Sequence, residues 1–337
     1  MTIRDRGAIH QKACQSLADA KGEPRKILLI YLGIATALSL AVAVISVTLS
    51  NRIADTGGLS NLGLRSVLST AKTLLPLVQS LVLLGLELGY ATMALRVVRG
   101  ERVSNETLFG GFRRFFPLLR AQILLGLFYF AIAMISVYPS AYIFMMLPVS
   151  EAFYEVFTPL MESANALGGA ITLDEAAMAA ATEATMPMLW ILAGVFLLLF
   201  IPTYYRYRMV IYRLIDQPRP GALRAILESR GMMRRNRFAL FRLDLSLWWF
   251  YGLQVLITTL CYGDLLLPLL GIAVPWAGTV SYFLFLCLSL ILQFVVYYFF
   301  MNRVAVTYAA AYETLLPKEQ EAQKPPKPTA VPWNDQY

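Results

Sequence analysis

Histidine and cysteine are nearly absent from this sequence, and that removes several kinds of chemistry at once. Among 337 residues there is one histidine, His10, and the three cysteines, Cys14, Cys261 and Cys287, stand far apart. A zinc or haem centre draws several His, Cys or carboxylate ligands to bonding distance, and this set cannot supply them. The spacing also offers no disulfide framework, and histidine-dependent triads are disfavoured for the same reason. No G-x-x-x-x-G-K-[ST] loop, H-E-x-x-H pair or G-x-S-x-G elbow occurs. We therefore expect no enzyme, no cofactor and no metal.

Charge is scarce as well. Asp, Glu, Lys and Arg make up 15% of the chain and hydrophobic residues 58%, whereas a soluble domain carries about 25% charged residues. A water-soluble fold is excluded on those grounds. The formal net charge of +8 would, as an average, point to nucleic acid. The distribution of the charges points elsewhere.

Six segments are long and apolar enough to cross a ~30 Å hydrocarbon core, which takes roughly 20 helical residues. They are Ile27 to Leu49, Leu74 to Leu95, Leu118 to Met146, Met188 to Tyr205, Leu243 to Tyr262 and Ala277 to Met301. Lipid leaves no water for exposed backbone groups, so helices are the expectation. All but three of the Lys and Arg residues (Arg52, Arg65 and Lys72) fall in the N-terminal arm, the links between spans two and three and between spans four and five, and the C-terminal part. From Gln122 to Tyr205 there is no Lys or Arg, but there are Glu151, Glu155, Glu162, Asp174, Glu175 and Glu183. Basic residues beside spans stay on the cytoplasmic side. Both termini are thus expected in the cytoplasm.

The resulting fold class is an all-α, polytopic membrane helix bundle with six transmembrane helices. It divides into a cytoplasmic N-terminal arm (1–26), a six-span membrane domain (27–316) and a Pro-rich tail (317–337) expected to be disordered. The membrane domain holds an acidic outer loop at about 147–187, where Thr172 and Glu175 have capping-box spacing. It also holds a basic cytoplasmic link at about 206–242. Pro139 and Pro202 are expected to interrupt spans three and four.

Two features carry possible chemistry. Glu87 lies nine residues before Arg96, so helical rise puts it ~13 Å inside the cytoplasmic boundary. A carboxyl at that depth is costly and normally faces protein or a water-filled cavity. Ser80 and Tyr90 fall within roughly 20° and 60° of it on a helical wheel, and Ser289 and Gln293 on span six are its expected partners. Gly85 and Gly89, four apart on nearly the opposite face, form a small-xxx-small surface that lets another helix approach closely. The second feature is the run from Pro220 to Ser246. Its apolar residues alternate with Arg224, Arg230, Arg234, Arg235, Arg237 and Arg242, as in a cytoplasmic amphipathic helix lying on anionic headgroups. Asp244, at the mouth of span five, is expected to form an ion pair with a neighbouring arginine.

The segments FIPTYYRYRMVIYRLIDQP and ESRGMMRRNRFALFRLDLSLWWFYGL, with Pro202, Tyr205, Ser229, Arg230, Met233, Phe241, Leu243, Asp244, Leu245 and Ser246, resemble a bacterial integral-membrane family catalogued as domain of unknown function 975. LELGYATMALRVVRGE and TLFGGF, with Gly89, Arg99, Gly100, Phe109, Gly111 and Phe112, look like its earlier half. The resemblance implies the multi-span topology and supplies no substrate. The expected function is a non-catalytic accessory or scaffold for envelope or export processes that contacts anionic membrane lipid, with a membrane-protein partner and no nucleic acid. The alternative is a small transporter or export permease that uses Glu87.

Overall fold

The computed structural model describes residues 6–55, 62–166, 175–217, 221–263 and 279–316. Within them the chain is helical, with no strand beyond an isolated bridge between Gly22 and Val103. The helices are α1 (Arg6–Ala18), α2 (Pro24–Asp55), α3 (Leu62–Arg99), α4 (Asn105–Phe109), α5 (Phe115–Met145), α6 (Val149–Ala166), α7 (Glu175–Tyr207), α8 (Val210–Asp216), α9 (Gly221–Met233), α10 (Arg237–Ser246), α11 (Trp248–Cys261) and α12 (Thr279–Leu315). A 3-10 turn, Gly110–Arg114, joins α4 to α5. The expected disordered tail and the Thr172 cap lie outside the described residues.

Among the described residues, five helices are long and apolar enough to cross a membrane, or six if the bent pair α10 and α11 is counted as one span. The fifth span expected over Leu243 to Tyr262 is a broken one: the helix breaks at Leu247 with a 67° bend. Its second half, α11, has 14 residues, about 21 Å by helical rise and short of a full crossing. Local sequence gives no reason for the break. It coincides with tertiary bonds on both flanks, described below. The interruptions expected at Pro139 and Pro202 are corrected, because both lie inside continuous helices. Next to each proline a hydroxyl bonds back to a helix carbonyl, Ser140 to Ser136 and Thr203 to Leu199.

The chain forms two compact units, Met1–Leu118 with Met209–Tyr337, and Leu119–Arg208. In the second unit, α6 packs on α7. Phe153 stacks on Phe157 and meets Phe144 edge-on, and Tyr129 of α5 lies against Phe200 of α7.

In the first unit, α3 and α12 are the long elements, with 38 and 37 residues. At 1.5 Å per residue each is about 55 Å long, well beyond the ~30 Å an apolar core requires. Both pack against α2 and against each other, and the arm helix α1 lies across them with Ile9 and Ala13 buried. α3 ends in a Schellman motif: Glu101 N–H donates to Arg96 O and Gly100 N–H to Val97 O, with Gly100 at φ +68°. That left-handed residue satisfies the last carbonyls and turns the chain back along the helix.

The returning segment lies very close to α3. A Cβ placed on Gly89 would fall 1.7 Å from the Leu108 carbonyl oxygen, and one on Gly111 would fall 2.2 Å from the Gly85 oxygen. Backbone meets backbone here, so only glycine fits. Gly85 and Gly89 thus form the close-approach face expected from the sequence. Their close neighbour is the chain's own 108–112 turn, with Phe112 laid over Gly85.

Gly89→Ala and Gly111→Ala should each lower stability by about 1–3 kcal/mol or more, since neither clash can be relieved by rotating a side chain. Gly110→Ala, where a Cβ meets nothing within 4 Å, should be close to neutral. Thermal unfolding of the three variants in detergent checks this, and equal losses in all three would contradict the packing argument.

Candidate functional site

The overhanging ends of α3 and α12 carry a charged cluster. Arg99, in the last turn of α3, is bound by two carboxylates from distant parts of the chain. One is Asp216 at the end of α8, at 2.6 Å, and the other is Glu313 near the end of α12, also at 2.6 Å. All three side chains are largely shielded, with 20%, 14% and 7% of their surface exposed. Tyr312 donates to the second oxygen of Asp216 at 2.7 Å and stacks on Tyr212. One turn back on α8, the buried Arg213 reaches Glu228 of α9 at 2.5 Å, and Arg224 reaches the other oxygen of Glu228 at 3.0 Å. The cluster joins α3, α8, α9 and α12 through charge-assisted bonds, roughly twice as strong as neutral ones.

Burial pushes the Glu228 carboxyl upward, but hydrogen bonds from Arg213 and Arg224, together with their charges, outweigh it and hold the pKa below the usual 4.5. No sequence signal pointed to this cluster, because its members are separated by up to 214 residues and a charge needs a partner only once it is buried.

The residues singled out around Glu87 are partly dispersed. Tyr90 is buried, donates to Asn302 Oδ1 of α12 at 2.8 Å and stacks on Tyr31 at 5.2 Å. Glu87 lies on the exposed side of α3, within electrostatic range of Tyr31. It lines neither the basic cavity nor the apolar groove described below. Ser80 is exposed and bonds back to Pro76 O. Ser289 is buried and bonds to Leu286 O of its own helix, and Gln293 is half-buried. The structure thus joins Tyr90 to Asn302, a residue that the wheel argument had not considered.

Within the basic run, residues 221–246 form two helices, α9 and α10, separated by a turn at 234–236. Ala222, Ala225, Ser229, Met233, Leu240 and Leu243 are buried. Arg224, Arg230, Arg234, Arg235 and Arg242 are exposed, and Arg237 is half-buried. Leu223, Leu227 and Phe238 are also exposed, at 65%, 62% and 69%. Asp244, expected beside an arginine, accepts a 2.5 Å hydrogen bond from Tyr308 of α12. Tyr308 also meets the hydroxyl of Tyr251. From α1, His10 Nε2 lies 2.9 Å from Ser246 Oγ and Arg6 donates to the Arg242 carbonyl.

Two cavities adjoin these elements. An apolar groove of about 430 Å³ runs between α2 and α12, lined by Leu40, Cys287, Ile291 and Phe294. A larger cavity of about 1080 Å³ lies between α3 and the 101–117 segment, and arginines line it. Among the described residues, no cluster of His, Cys, Asp and Glu could hold a metal ion.

Long apolar helices with a charged, interlocked end define a multi-span helical membrane protein. A family model described as Protein of unknown function (DUF975) matches residues 1–318, and the chain belongs to that family. No curated protein and no solved structure matches the chain.

Arg99→Ala should cost about 3–5 kcal/mol, because it leaves two shielded carboxylates without their cation. The Glu228 contribution has a definite pH dependence. With its folded pKa held below 4.5, it is fully present above pH 4.5 and is lost as pH falls through the depressed value. Unfolding midpoints measured down an acid series should therefore fall less steeply for Glu228→Gln than for the unmodified chain.

Proposed function

We propose that this chain is a non-catalytic accessory or scaffold of a bacterial cytoplasmic membrane, with both termini in the cytoplasm, and that α9 and α10 rest on anionic lipid. The observation that carries the reading is the exposed surface of these two helices. Large apolar side chains, Leu223, Leu227, Phe238 and Leu245, stand in solvent there beside Arg224, Arg230, Arg234, Arg235 and Arg242. Apolar side chains left uncovered among guanidinium groups suit an acyl boundary capped by phosphates. Arginine also buries its stem in such a boundary while its head stays at the headgroups. Trp248, 68% exposed at the start of α11, is of the type enriched at membrane interfaces. The Lys and Arg asymmetry supports the same side for this surface and for the N-terminal arm.

Each arginine near an anionic surface contributes about 1 kcal/mol, and salt screens that attraction. The full chain in nanodiscs should unfold at a higher temperature in phosphatidylglycerol than in phosphatidylcholine, and added salt should shrink the difference. Replacing Arg224, Arg230, Arg234, Arg235 and Arg242 with glutamine should remove most of the difference. If the variant keeps the full lipid dependence, this surface is not what touches the headgroups.

A further inference from the structure

The segment between α3 and α5 builds a second basic feature that shares no residue with α9 or α10. The Schellman turn at Gly100 sends the chain back along α3, and the 108–111 backbone is seated on Gly85 and Gly89. Val103 anchors the return, its N–H donating to Lys21 O at 2.9 Å. Between this strap and the last turns of α3 remains the cavity of about 1080 Å³. Its inner surface includes Leu88, Leu95 and Ile215, all buried. Four arginines line it, Arg96, Arg99, Arg113 and Arg114, against two glutamates, Glu101 and Glu106.

The arginines differ in how they are occupied. Arg99 is committed to Asp216 and Glu313. Arg114 is held by a 2.5 Å bond from Nη1 to the Ile215 carbonyl. Arg96 is steadied by Nη1 donating to Thr107 Oγ1 at 3.2 Å and has only a 3.8 Å contact with Glu101, in which both side chains are about half exposed. Arg113 is exposed beside Arg114. A guanidinium carries five donors in a rigid fork. One bond to a carbonyl or hydroxyl uses only part of the donor set of Arg96 or Arg114. Planar forks lining one cavity favour bidentate binding of phosphate oxygens.

We infer that this cavity binds a phosphate ester, with Arg96, Arg113 and Arg114 gripping the phosphate. A carboxylate would satisfy one fork, whereas a phosphate presents enough oxygens for several. Phe109, 47% exposed on the same wall, gives the site an apolar edge that suits the glycerol and acyl portion of a phospholipid. A soluble phosphate ester shares the headgroup chemistry without that portion. The inference does not rest on the role proposed for α9 and α10, and the two fail separately.

The test uses the full chain in an uncharged detergent, titrated with short-chain phosphatidic acid and, separately, with glycerol 3-phosphate. Saturable binding of at least one of them is expected. Binding should weaken about tenfold or more in Arg113→Gln/Arg114→Gln and in Arg96→Gln, the scale of a lost charge-assisted contact. Arg52→Gln/Arg65→Gln removes the same charge at exposed positions of α2 and α3 outside the cavity and should change binding by no more than about twofold. Phosphatidic acid binding alone identifies the ligand as a lipid headgroup, and comparable binding of glycerol 3-phosphate identifies a soluble ester. The inference is overturned if neither probe saturates, or if the two double variants lose binding equally. Should the Arg113→Gln/Arg114→Gln chain fail to give a cooperative melt, Arg113→Gln alone decides, and binding as tight as that of the unmodified chain overturns the site.

Discussion

Arg99 is the point at which the first unit of this protein is tied together. Its guanidinium ends α3, and the carboxylates that meet it come from the ends of α8 and α12. Two anions on one cation leave an excess of negative charge, and the surroundings offset it. Tyr312 donates to Asp216, and Arg213 stands on the same short helix as that aspartate. The pairs are mostly shielded from water, so the Coulomb attraction is screened little. For the same reason the loss of any member would leave a charge in a poor environment. The network therefore does more to fix one arrangement of the helix ends than to add net stability. A long apolar helix can slide or rotate against a similar neighbour at small cost. An arginine that must meet two carboxylates at 2.6 Å cannot.

A second constraint acts a few turns away and has no charge in it. The 108–111 backbone touches α3 only because residues 85, 89 and 111 lack side chains. Such an approach yields dispersion contacts between backbones at the expense of any tolerance for substitution. It also determines where the following arginines stand. Arg113 and Arg114 follow directly from Gly111 in the same tight turn. The seat on Gly85 and Gly89 and the ion pairs of Arg99 thus fix the two sides of the basic cavity. They do so by different physics, one by shape and the other by charge.

How much of this could be read in advance depended on the range of the interaction. The spans were legible because apolar length is a local property, and the glycine pair on α3 was legible because spacing on one helix is local too. The identity of the glycines' partner was not, since a span seemed the natural neighbour and the turn after it proved to be the one in contact. Tyr90 was singled out as part of a polar stripe with Glu87, and the residue it bonds, Asn302, lies 212 residues away. Glu87 shows the limit of depth arguments. Helical rise fixes how far along a helix a residue lies, but which side faces outward depends on neighbours that the sequence does not name. The network at Arg99 was hidden for the same reason, since the burial that makes unpaired charge costly is itself set by the neighbours of Asp216 and Glu313.

The bend at Leu247 shows the same dependence from the side of α12. Asp244 and Tyr251 are seven residues apart, about 10 Å along a straight helix. Both nonetheless meet the hydroxyl of Tyr308, a single oxygen that donates to one and contacts the other. The 67° turn lies between these two groups, so one phenol of α12 bonds both flanks of the break. Ser246 and the Arg242 carbonyl, just before the turn, are met in addition by His10 and Arg6 of α1. The break is thus held by contacts from two other helices and needs no proline or glycine of its own. Four residues beyond Tyr308 on α12 stands Tyr312, and next to it Glu313. One turn of α12 therefore sets the angle at which α10 leaves the axis of α11, and the next turn locks α12 to α3 and α8. The direction of the arginine-bearing α10 and the closure of the charged cluster are in this way coupled through a single rigid helix end.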